Sequence, residues 1–134
     1  ETLNVPQSVS TPHPPIMIGG QGERKTLRLV AKYADACNLF AGPNMTPEQV
    51  AAKLATLAAH CAREGTDYDR IRKTVLWAGP MEASAVGGRA FADQMGRYAD
   101  VGVEEVHVMP FTPDPVAFVY DVGEHLKPLL PATR

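Results

Sequence analysis

The chain has 134 residues, 45% of them hydrophobic, and a formal net charge of −2, with a pI near 6.1. This is enough for one domain with its own core, and the charge gives no basic footprint for nucleic acid. No apolar run approaches the ~18–20 residues of a membrane span, and the polar, proline-rich start lacks a signal peptide's apolar stretch. A cytoplasmic protein with no membrane partner is expected.

Residues 1–14 are aperiodic and proline-rich, an extended lead-in; 15–134 carry the folded pattern. Ile16–Ile18 is a short strand. It ends in Gly19-Gly20-Gln21-Gly22, and helical spacing starts at once, from about Gly22 to Tyr33, with Leu27, Val30, Ala31 and Ala34 on one face. Glycines let backbone approach a ligand, and the first helical N–H groups have no internal partners, so this turn suits an anion, most often phosphate. An ordinary strand-to-helix turn that binds nothing has the same local pattern.

Asp35–Phe40 reads as the second strand, followed by the loop Ala41-Gly42-Pro43-Asn44. Thr46-Pro47-Glu48-Gln49 then opens a helix with an N-cap, a proline at the first helical position and a capping box. Val50, Leu54, Leu57 and Cys61 follow on its inner face, and Gly65 stops it. Ile71–Ala78 is the third strand. Ala83–Gly88 reads as a loop, and Arg89–Asp100 as a helix with Phe91, Met95 and Tyr98 inward. Val103–Met109 is the fourth strand. Pro113-Asp114-Pro115 opens the last helix, with Val116, Val119, Tyr120 and Leu126 inward, ended by Pro128 or Pro131.

Strands alternating with single helices imply parallel pairing and right-handed crossovers. Two architectures satisfy four βα units: a small doubly wound sheet, or half of a (β/α)8 barrel. Either places ligands at the carboxyl ends of the strands. Cys37 and Cys61 read as small buried hydrophobes in a reducing compartment, and no histidine has a partner at metal-ligand spacing, so no metal is expected. No serine sits in a nucleophile elbow. Glu104 and Glu105 are adjacent on a strand and point to opposite faces, so they form no acid–base pair. Lys25 stands where a dinucleotide fingerprint needs its third glycine, which argues against a nicotinamide cofactor.

The segment PPIMIGGQGERKTLRLVAKYADACNLF resembles the luciferase-like monooxygenase superfamily, in particular the branch that uses the deazaflavin coenzyme F420 (an 8-hydroxy-5-deazaflavin). IRKTVLWAGP and RYADVGVEEVHVMPF agree more weakly. The resemblance spans about residues 12–130. It implies a (β/α)8 barrel of which this chain is the C-terminal half, strands five to eight, in an oxidoreductase that transfers hydride between F420 and an organic small-molecule substrate. FMN is the alternative cofactor and would imply a monooxygenase. A non-catalytic half-barrel or phosphate-binding module is the rival reading.

The resemblance places the cofactor at Gly19, Gly20, Gln21 and Gly22, with Glu23 and Arg24 beside them. Most catalytic residues of the family lie in the other half, so none is assigned. Arg24 is either a phosphate contact or a solvated first-turn arginine. Asn38 either faces the barrel mouth or makes a local hydrogen bond. Trp77 either lines a substrate pocket or fills the core. His107 is an interior polar group, near the ligand or structural; Met109 shares its alternation along the strand, Phe111 is a rim position, and with Trp77 these are the substrate-pocket candidates. A half-barrel leaves two strand edges and an apolar interior open. The expected partner is therefore a missing N-terminal half or a second copy of the chain, and the fragment alone is expected to be inactive.

Overall fold

The structure is a computed structural model that describes residues 8–82 and 84–130. The start of the lead-in (residues 1–7), Ala83 and the terminator candidate Pro131 lie outside the described residues. The elements are β1 (Met17–Gly19), α1 (Thr26–Tyr33), β2 (Ala36–Ala41), α2 (Pro47–Glu64), β3 (Arg72–Trp77), α3 (Ala85–Ala99), β4 (Glu105–Val108) and α4 (Pro115–His125), then a 3-10 turn over Lys127–Leu129. The four strands form one parallel sheet in the order β1-β2-β3-β4. Each crossover therefore steps one strand in the same direction, which puts every helix on the same face.

That face holds the core. Leu27 and Val30 of α1, Leu54 and Leu57 of α2, and Phe91 and Tyr98 of α3 pack on Cys37, Leu39, Ala41, Val75 and Trp77 of the sheet. The strand residues alternate, so the intervening side chains point the other way. Among the described residues no helix covers them, and Met17 and Phe40 are 47% and 48% exposed. This bare face is what a half-barrel would turn toward its axis.

The strongest local signals act as the sequence implies. Thr46 Oγ1 accepts from the Gln49 amide at 3.4 Å, and Gln49 Oε1 accepts from the Thr46 amide at 2.8 Å, closing the capping box at the start of α2. Gly65 ends the helix at φ 70°, a left-handed conformation that costs other residues. Cys37 and Cys61 are free and buried.

Three expectations are corrected. α1 starts at Thr26 rather than Gly22: residues 23–25 form a turn, and the Leu27 amide reaches back to Gly22 O at 3.0 Å. α3 starts at Ala85, inside the segment read as loop. Ser84 Oγ caps it by accepting from the Gly87 amide at 3.0 Å. Gly87 and Gly88 serve close packing: a Cβ on Gly88 would come within 3.3 Å of the His125 carbonyl of α4. Finally, α4 is rotated from its expected orientation. Leu126 is buried and Val122 packs on the core, whereas Val116, Val119 and Tyr120 are exposed. Apolar residues ring this helix, so spacing alone does not select its inner face.

Candidate functional site

The loop after β1 is built by glycines. Gly20 has φ 118°, and a Cβ there would meet Thr26 Cγ2 at 3.3 Å. A Cβ on Gly22 would meet Thr26 Oγ1 at 3.0 Å. The loop is thus folded tightly over the first residue of α1. The Gly20 amide donates to Asn38 O at 2.9 Å, so it is committed to the protein rather than free for an anion. With α1 starting late, the unbonded helical amides lie beyond Gly22, in the turn that leads into Thr26.

Glu23 and Arg24 turn to the helix side of the molecule. Lys53 Nζ donates to Glu23 Oε1 at 2.7 Å; this hydrogen bond, then the lysine charge, holds the Glu23 carboxyl below its ordinary range. His60 Nε2 donates to Glu23 O at 2.7 Å, and His60 Nδ1 accepts from Arg63 Nη2 at 3.1 Å. A carbonyl cannot donate and a guanidinium cannot accept, so the proton sits on Nε2. Arg24, Arg28, His60 and Arg63 line a groove of about 560 Å³ between α1 and α2. It lies away from the bare face, which is an open sheet rather than a cleft.

The bare face carries the other polar candidates. Register places Gly19, Asn38, Thr74 and Glu105 in one row across the sheet, and Phe40, Leu76 and His107 in the next row toward the carboxyl ends. Thr74 Oγ1 is satisfied by donating to Cys37 O at 2.8 Å. Asn38 Oδ1 and His107 Nε2 are not: both atoms are buried with no hydrogen-bond partner, as is Gln21 Oε1 in the adjoining loop. A buried unpartnered polar atom costs about 1–3 kcal/mol. Such atoms are uncommon in native proteins, and each calls for a water, an ion, a ligand or another chain to satisfy it.

His107 Nε2 stands 3.4 Å from Glu105 Oε1, close enough for charge attraction but without hydrogen-bond geometry. Glu105 Oε2 is in turn 3.4 Å from Arg72 Nη1. Met109, just past β4, continues the alternation and is exposed, and Phe111 stands further out in the following loop.

Trp77 is not brought to this face. It is 1% exposed, packed edge-on against Phe91 and Tyr98, with Nε1 donating to Pro80 O at 3.3 Å. The structure therefore gathers Gly19, Asn38, His107 and Met109 at one surface, sets Gln21 in the loop tied to it, and separates Trp77, Glu23 and Arg24. Sequence reasoning missed Phe40, Leu76, Arg72 and Glu105 as members of that surface. Period-two alternation from Asn38 would have found Phe40, and alternation from His107 would have found Glu105. Among the described residues, no group of three or more His, Cys, Asp or Glu side chains could hold a metal ion. No helix of the described residues is long and apolar enough to cross a membrane.

No family model matches the chain, and no curated protein matches it by sequence. Among solved structures it is similar to the coenzyme F420-dependent tetrahydromethanopterin reductase from Methanopyrus kandleri, with a TM-score of 0.71 at 13% identity over 87% of this chain. The match covers 51% of the reductase chain, so this chain spans about half its length. The likeness is one of fold: four consecutive βα units that correspond to half of a TIM-barrel-like architecture.

Proposed function

We propose that this chain is the cofactor-holding half of a deazaflavin-dependent oxidoreductase that exchanges hydride between F420 and an organic substrate. The carrying observation is the pair of buried, unpartnered atoms Asn38 Oδ1 and His107 Nε2 in adjacent rows of a bare sheet face. The segment resembling the F420 branch and the F420 dependence of the structurally similar reductase support the choice of cofactor.

The residues present fit a flat ring with a polar edge. Phe40, Leu76 and Met109 offer apolar contact, while the Asn38 and Gln21 side chains offer amides that can serve its polar groups. Gly19 and Gly20 leave room for close approach. The amides between Gly22 and Thr26, rather than that of Gly20, are the donors left for a phosphate. Bound F420 would supply the hydride chemistry; this chain holds and orients the ring. His107 Nε2 offers a ring nitrogen that can donate to or accept from a polar group of the ring.

Titration with F420 and with FMN, read by cofactor fluorescence, tests the proposal. F420 is expected to bind more tightly, and Asn38→Leu to weaken it about tenfold, the worth of one buried hydrogen bond. Tighter FMN binding would replace the reductase reading with the monooxygenase one. Binding of neither would leave a non-catalytic half-barrel.

A further inference from the structure

The groove between α1 and α2 lies on the helix side of the sheet, away from the face proposed for the cofactor. Its walls come from two consecutive units, so its shape does not depend on what adjoins β1 or β4. Three guanidinium groups line it, those of Arg24, Arg28 and Arg63. Arg63 is braced on its own helix: Nε donates to Ala59 O at 3.2 Å, and Nη2 donates to His60 Nδ1 at 3.1 Å. His60 is 8% exposed and fixed in turn by its bond to Glu23 O, so it holds the arginine from beneath. Arg28 meets Glu64 through Nε, which leaves its two terminal nitrogens to face the groove or solvent. Arg24 has no acidic partner among the described residues.

The charges here do not balance. Glu23 and Glu64 are the carboxylates of the groove, and each is already engaged, Glu23 by Lys53 and Glu64 by Arg28. Lys53 and the three arginines outnumber these two acids by two, in a chain whose net charge is −2. Like charges gathered at one groove repel until an anion neutralises them.

We propose that this groove binds the phosphate monoester of a small molecule. A phosphate monoester is close to a dianion at neutral pH, which matches the excess of two charges; a monocarboxylate would leave one over. Guanidinium forks aim paired donors at phosphate oxygens, and three forks supply more donors than the two oxygens of a carboxylate can use. The Thr56 hydroxyl is spent on Ala52 O at 3.0 Å, so the arginines select the anion. A volume of about 560 Å³ leaves room for the organic body of the ester.

The test is a titration of the 134-residue chain with inorganic phosphate, phenyl phosphate and acetate, at constant ionic strength, read by NMR of the arginine Nε–H groups. Saturable shifts at Arg24, Arg28 and Arg63 are expected with both phosphates at millimolar concentration, and acetate is expected to bind at least about tenfold more weakly. Arg24→Met and Arg63→Met should each weaken phosphate about tenfold, the worth of one charge-assisted hydrogen bond. Arg89→Met, on α3 and outside the groove, should leave affinity unchanged. Arg24 sits in an exposed turn, so its variant keeps the fold even if Arg63→Met does not, and circular dichroism verifies both. Shifts that follow ionic strength alone, affinity indifferent to Arg24→Met, or acetate bound as tightly as phosphate overturns the inference. So does binding of inorganic phosphate without phenyl phosphate, which leaves an adventitious ion only. Saturating F420 is expected not to change phosphate affinity; competition would assign the groove to the cofactor and overturn the inference as well. Phosphate binding by a chain that binds no F420 supports the groove while removing the cofactor reading.

Discussion

The Gly20 amide donates to the Asn38 carbonyl at 2.9 Å, which ties the loop after β1 to the residue whose side chain is left unpartnered. Backbone conformation at Gly20 and ligand readiness at Asn38 are therefore coupled. Gly20→Ala places a Cβ at φ 118° and 3.3 Å from Thr26 Cγ2. A loss of about 1–2 kcal/mol in urea unfolding is expected. Thr26→Ser, which removes that methyl, recovers the steric part in the double variant. Full stability of Gly20→Ala would show that the loop is not held as described.

The capping box at Thr46 and Gln49 is a purely structural device. Thr46→Ala is expected to cost about 1 kcal/mol, measured as a fall in Tm, because the first turn of α2 loses its side-chain acceptor. Cofactor affinity should not change.

Trp77 separates core from site. Trp77→Ala removes an indole packed on Phe91 and Tyr98 and should cost about 3–5 kcal/mol, a large share of a small domain's stability. Trp77→Phe should keep the fold with reduced stability and bind F420 as the wild type does. A selective loss of F420 affinity in the phenylalanine variant would place the indole in the site after all.

Burial pushes the Cys37 thiol up, the effect outweighing the backbone hydrogen bond and the Lys73 charge that favour the thiolate. A thiol raised in the folded state contributes stability below its unfolded pKa and loses it as pH rises through the folded value. Cys37 should accordingly resist a thiol reagent such as DTNB at neutral pH and react only on unfolding. Rapid labelling in the native state would contradict the packing.

The hydrogen bond from Arg28, then its charge, hold the half-buried Glu64 carboxyl below its ordinary range. With the folded pKa depressed, the contribution is present above the unfolded carboxylate pKa and is lost as pH falls through the folded value. Glu64→Gln should lower Tm slightly at neutral pH, and the difference should vanish in strong acid and in molar salt. A difference that persists in both conditions would exclude the ion pair as its cause.

What could be read from sequence followed how local the determinant is. The four βα units, the Thr46–Gln49 box and the Gly65 stop depend on neighbours within one turn, and the structure has them all. The start of α3 was hidden because Gly87 and Gly88 read as loop, yet they serve contacts with Glu82 and with His125 of α4. The orientation of α4 was ambiguous because Val116, Val119 and Tyr120 are as apolar as the Phe118 and Val122 side. The set that packs is decided by tertiary structure. At the site, the glycine turn and Asn38 stood out in sequence. That Asn38, Phe40, Leu76 and His107 share a surface depends on strand register, and register is not a local property.

The most direct measurement is an amide and methyl NMR titration of the chain with F420. Shifts are expected to concentrate at Gly19–Gly22, the Glu23–Thr26 amides, Asn38, Phe40, Leu76, His107 and Met109, with Trp77 and the Arg28, His60 and Arg63 groove silent. Shifts centred on that groove, or none at millimolar F420, would contradict a cofactor site on the bare face of the sheet.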